Sequence, residues 1–120
     1  VKQVRLTQLA QDDIRNILDT SASMHGEAAS GRYRALLGSA FRQIQANPIA
    51  APSAACDRLA PGLRSLHLAR CRRTRGKGRV ENPVHLVFYR LVSAEAILIV
   101  RVLHERMELG RHLANWGNTP

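Results

Sequence analysis

His85-Leu-Val-Phe-Tyr-Arg90 and Ile97-Leu-Ile-Val-Arg-Val-Leu-His104 are two apolar runs, rich in β-branched and aromatic residues, on either side of the short Val92-Ser-Ala-Glu-Ala96 connection. That arrangement predicts an antiparallel hairpin. Strict alternation along the second run would set Arg101 and Leu103 on one face and Val100, Val102 and His104 on the other. Polar residues fall inside both runs where a purely structural strand has no need of them: His85, Arg90, Arg101 and His104. Beyond the hairpin, Met107, Leu109 and Leu113 predict a short C-terminal helix, then a polar tail over 115–120.

Ahead of the hairpin the apolar period changes from two to that of a helix. Val4-Arg-Leu6 reads as a short edge strand, and Thr7 offers a hydroxyl cap to a first helix. Asp12 and Asp13 sit early in that helix, where the dipole favours anions, and Ala10, Ile14, Ile17, Leu18 and Ser21 form its apolar stripe. Met24-His-Gly26 breaks the pattern, and glycine suits the turn. A second helix is expected from Glu27 to Ala46, ended by Asn47-Pro48. A Pro- and Ala-rich connection over 48–62 leads to Leu63-Arg-Ser-Leu-His-Leu68, which alternates like a strand. The expected fold is α+β, one domain over 1–120. An N-terminal strand and an αα-hairpin pack on a small antiparallel sheet. Ile14, Ile17, Tyr33, Leu37, Phe41, Val87, Ile99 and Val102 are the expected core.

Charge sets this chain apart. Eighteen Lys and Arg face nine Asp and Glu, a formal +9, which draws the protein toward polyanions or acidic partners. Arg70, Arg72, Arg73, Arg75, Lys77 and Arg79 crowd one stretch (70–79) that holds no acid and reads as a basic loop. Three uses fit it: a solvated loop, a phosphate contact without base stacking, or a dock for an acidic protein surface. An apolar fraction of 45 % fits a globular chain. The two cysteines, Cys56 and Cys71, have no framework or metal-ligand spacing, so a reducing cytoplasm is the expected compartment and no metal or cofactor is expected. No run approaches the roughly 20 apolar residues of a membrane span, and Val1-Lys-Gln-Val-Arg-Leu6 lacks a signal peptide's apolar core.

Several short patterns recur in one order: Thr7, Ala10, Asp13, Ile14 and Ile17; Gly26, Ala29, Tyr33 and Leu36-Leu37; Arg64-Ser65 after Pro61-Gly62-Leu63; then Arg101, His104, Met107, Glu108 and Leu113. That ordered set resembles the ParE-like toxins of bacterial toxin–antitoxin modules, within the ParE/RelE superfamily. The resemblance implies a plasmid-stabilisation type of toxin that inhibits DNA gyrase by binding and is neutralised by a cognate ParD-like antitoxin. Nucleic acid would be met only through the antitoxin or the gyrase complex. The RelE branch implies a ribosome-dependent endoribonuclease instead, and a degenerate non-toxic member is a third reading.

For the binding reading, Arg64, Arg90, Arg101, His104 and Arg106 are the candidate antitoxin- or target-contacting residues. The bland alternative is that these side chains fix helix ends or loop carbonyls against the sheet. RNA cleavage needs a base for the 2′-hydroxyl, a cation for the phosphorane and an acid for the leaving oxygen. Arg64, Arg101 and His104 would carry it. However, Glu105-Arg106 follows His104 with no tyrosine or histidine, and Tyr89 beside Phe88 in a strand places one of those rings in the core. The expected protein is therefore not an enzyme.

Overall fold

The structure, a computed structural model, describes residues 2–50, 52–71 and 80–107. Strand β1 (Gln3–Leu6) leads into helices α1 (Gln8–His25) and α2 (Glu27–Ala46). Strands β2 (Ala54–Ala55), β3 (Arg64–His67), β4 (His85–Ser93) and β5 (Ala96–His104) follow, with a 3-10 turn at Leu68–Arg70. The five strands form one sheet in the order β1-β5-β4-β3-β2. The expected hairpin is β4–β5, closed by Ala94-Glu95. No helix among the described residues is long and apolar enough to cross a membrane. The expected final helix, the 115–120 tail and loop residues Arg72, Arg73, Arg75, Lys77 and Arg79 lie outside the described residues.

Thr7 makes the first corner. Its Oγ1 accepts from the Ala10 N–H (3.0 Å) as a helix cap and donates to the Val100 carbonyl (2.7 Å), while its own N–H donates to Ile99 (3.0 Å). Gly26, at φ +93°, turns α1 into α2, a backbone state that a Cβ would strain. Ser30 Oγ then donates to the Leu18 carbonyl (2.9 Å), tying the helices together.

Two features depart from the sequence reading of the sheet. First, it is mixed, not wholly antiparallel: β1 runs parallel to β5, with Gln3 opposite Ala96 and Leu6 opposite Ile99. Only the packing of the intervening helices decides on which side, and in which direction, the first strand joins the last. Second, the expected alternation in β5 fails at Val100. Tyr89 pairs with Ile99 and Phe88 with Arg101, so Val100 is an extra residue in the ladder. Val100 packs with Leu98 and Leu103 on the face away from the helices, while Val102 packs with Ile97 and Ile99 beneath them.

Both faces are thereby covered. The helical hairpin seats Leu37, Ala40 and Ile44 on one, and Ala60 and Leu63 of the 52–63 connection cover Phe88 on the other. That connection is held by the Cys56 N–H to Leu63 carbonyl bond (2.7 Å) and by Asp57, which receives the N–H of Gly62 (2.9 Å). Tyr33, Leu37, Val87, Ile99 and Val102 are buried as expected. Ile14, Ile17 and Phe41 are only half-buried, because they pack on the rim of the core.

Candidate functional site

Strand pairing gathers three histidines at one end of the sheet. His85 opens β4 opposite His104, which closes β5, and His67 closes β3 opposite Leu86. Tyr33 of α2 reaches this end from above, with its hydroxyl 2.6 Å from His85 Nδ1. The His85 ring stands edge-on to both Tyr33 (centroids 5.5 Å apart) and His104 (5.4 Å).

Hydrogen bonding fixes how each imidazole carries its proton. The Tyr33 oxygen accepts from the backbone N–H of Val84 (3.3 Å), and its own hydrogen donates to His85 Nδ1. His104 Nδ1 accepts the N–H of Arg106 (3.0 Å), and His67 Nδ1 accepts the N–H of Ala69 (3.0 Å). In both, an imidazole caps the amide two residues on, much as Asn and Asp do in turns. In each ring Nδ1 is thus the acceptor, and Nε2–H is the donor that remains. That of His67 is used on Glu105 Oε1 (2.7 Å), which pulls the exposed carboxyl below its ordinary range.

Burial pushes His85 down to about 4, aided by the fields of His104 and His67 and opposed by those of Asp13 and Glu105. Burial also raises the Tyr33 phenol. A pH dependence follows from His85. The unfolded chain takes up a proton near 6.5 that the folded chain refuses until about 4, so stability present above 6.5 is lost as pH falls through that window. The expected loss is on the order of 2 kcal/mol after allowance for the ring's partial exposure. Calorimetry from pH 7 to 5, above most carboxylate titration, checks this: the wild type should lose melting temperature more steeply than His85→Asn. Parallel slopes would refute it.

Beside the cluster, α1, α2 and the segment before β4 enclose an open groove of about 650 Å³. Ile17, Met24, Val80 and Val84 give it apolar walls; His25, Arg32, His85 and His104 bring donors and charge, and Glu81 the one carboxylate. No three of the described His, Cys, Asp and Glu side chains are grouped to hold a metal ion.

The arginines singled out in the sequence are not gathered here. Arg101 is held by Asp13: Nε donates to Oδ2 (2.8 Å) and Nη2 to Oδ1 (2.9 Å), and the same Oδ2 accepts the Val102 N–H (2.9 Å). That hydrogen bonding to Asp13 raises the Arg101 guanidinium above its ordinary value. Asp13 therefore serves this clamp, not the helix dipole; neither it nor Asp12 lies in the first turn of α1. Arg64 Nη2 donates to the carbonyl of Ile49 (3.1 Å) and to Ser53 Oγ (2.9 Å). Arg90 is half-buried in β4, while Arg106 and, in the 3-10 turn, Arg70 are exposed. Tyr89 is wholly buried and its hydroxyl donates to the Pro48 carbonyl; Phe88 is equally buried on the other face. The sequence reading missed two pairs, Tyr33 with His85 and His67 with Glu105.

The family model for the ParE toxin of the type II toxin–antitoxin system matches residues 4–109. Toxin ParE1 from two strains of Mycobacterium tuberculosis is 31 % identical over 108 residues, covering 90 % of this chain and 94 % of the relative. Among solved structures, the chromosomal ParDE TA system from P. aeruginosa matches with a TM-score of 0.56 over 86 % of this chain and 95 % of that one. At 17 % identity that likeness bears on the fold, which it shares: two helices on a five-stranded mixed sheet. On the extent of the family match and of the shared sequence, this chain belongs to the ParE toxin family of type II toxin–antitoxin systems.

Proposed function

We propose that the protein stops growth by binding DNA gyrase and stalling its cleaved-DNA state, without catalysis of its own. A ParD-like antitoxin neutralises it by laying an acidic, amphipathic segment along it, in a cytoplasmic heteromeric complex. Membership of the ParE family supports the module and the class of target.

One observation favours binding over phosphodiester cleavage: the three side chains a ribonuclease would use are held apart. Arg101 is held by Asp13 and Arg64 by loop carbonyls. Arg64 lies opposite Tyr89 and His104 opposite His85, four residues apart on β4, or roughly 13 Å at about 3.3 Å per residue. His104, with Nδ1 occupied, presents an N–H donor where a general base needs a lone pair. The exposed Arg106, the half-buried Arg90 and the basic loop remain candidates for the gyrase contact.

Purified toxin should inhibit gyrase supercoiling or trap cleaved DNA, and its expression without antitoxin should induce a DNA-damage response while translation persists at first. Rapid codon-linked cleavage of ribosome-bound messenger RNA, with gyrase untouched, would move the protein to the RelE branch. Arg64, Arg101 and His104 would then be the first residues to mutate. Silence in both assays would mark a non-toxic member.

A further inference from the structure

The groove between the helical hairpin and the start of β4 has no part in the gyrase reading, yet it joins apolar walls to convergent polar groups. Its walls are apolar, and Met24 at its edge is 70 % exposed. His85 and His104 both line it. Since Tyr33 and the Arg106 amide occupy their Nδ1 atoms, the polar atom left to each ring is Nε2–H. Two N–H donors from facing strands, with the guanidinium of Arg32 in the same lining, suit an oxyanion. Glu81 is the one carboxylate set against Arg32 and His25, on a chain of net charge +9.

We propose that this groove anchors the antitoxin: an apolar side chain of the antitoxin lies between Ile17 and Val84, and an adjacent Asp or Glu carboxylate accepts hydrogen bonds from His85 and His104 Nε2–H and pairs with Arg32. The inference rests on the antitoxin reading above and deepens it. It moves recognition of the acidic segment from Arg64 and Arg101, which the fold uses internally, to a histidine pair and an α2 arginine. A protein segment fits better than nucleic acid. The aromatic ring in the lining, Tyr33, is 9 % exposed and cannot offer a face to a base, and a carboxylate in the wall opposes a phosphate chain.

The test measures, by titration calorimetry, the affinity of the full-length antitoxin from the adjacent reading frame for wild-type toxin and three variants. Arg32→Ala removes the charge from an exposed position on α2, where folding is not at stake. His85→Asn with His104→Asn keeps an acceptor near each Nδ1 position while deleting both Nε2–H donors. Arg58→Ala removes an equal charge from the exposed part of the 52–63 connection, over the opposite face of the sheet. Losses of tenfold or more in the first two, with less than twofold in Arg58→Ala, are expected. In wild-type toxin labelled with ¹⁵N-histidine, the Nε2 resonances of His85 and His104 should also move on complex formation, which needs no variant to fold. Tight binding by wild type and groove variants alike, with unmoved Nε2 resonances, would overturn the anchor and leave the module intact. No binding by the wild type at micromolar concentration would overturn the antitoxin reading and the anchor with it. Loss of single-stranded RNA binding in the groove variants, with antitoxin binding unchanged, would reassign the groove to nucleic acid and overturn the proposal.

Discussion

Asp13→Ala is expected to lower stability by roughly 3–5 kcal/mol, the range for removing one partner of a buried ion pair. The carboxylate accepts two hydrogen bonds from Arg101 and one from the Val102 N–H, and both side chains are at most 15 % exposed. Its removal leaves a guanidinium and a backbone amide without that partner at one place. Strand β1 ends at Leu6, opposite Ile99, so among the described residues the edge of β5 beyond it has no strand neighbour. Asp13 fills that role from α1, closing an edge that would otherwise be open to another chain. Against a typical total of 5–15 kcal/mol the loss is large, and the melting temperature should fall by roughly 10–20 °C. Asp13→Asn, which keeps a carbonyl acceptor, should lose less. The pair replaced by apolar residues, Asp13→Leu with Arg101→Met, should recover part of the loss, since the uncompensated charge is gone. Urea melts of the four proteins decide this: a single-variant loss below about 1 kcal/mol would mean that the clamp is not a determinant of the fold.

Ile99→Ala should destabilise by about 2–5 kcal/mol, through lost transfer energy and the cavity left behind. Ile99 is fully buried, pairs with Leu6 on one side and Tyr89 on the other, and its carbonyl receives the Thr7 N–H. It sits immediately before the extra residue, Val100, so neighbouring chain is pinned on three sides and has little freedom to collapse into the void. Ile99→Val should cost only about 0.5–1.5 kcal/mol. Equal effects of the two substitutions in urea or thermal melts would show that the site repacks and that close packing there is not decisive.

The amino-acid sequence by itself determined the elements and most of their ends. The period-two runs at 85–91 and 97–104, the Thr7 cap, the Gly26 break and the Asn47-Pro48 stop are local signals, read from neighbouring residues, and each stands where it was expected. The ordered motifs also carried the family. What local pattern could not hold were relations between distant residues. Asp13 and Arg101 are 88 positions apart, and nothing near either one marks it as the other's partner. The same applies to the parallel joining of β1 to β5, which depends on how the helical hairpin packs between them. One extra residue at Val100 reversed the faces assigned by alternation, because a bulge is settled by the pairing of two strands and not by either strand alone. The candidate site shows the same division. His85 and His104 stood out as polar residues in apolar runs, but only tertiary packing set them beside Tyr33 and against an open groove, while it drew Arg64 and Arg101 into the framework. A buried or half-buried charge must find a partner or stay unpaired at a cost of several kcal/mol, and which partner it finds is decided by the folded chain.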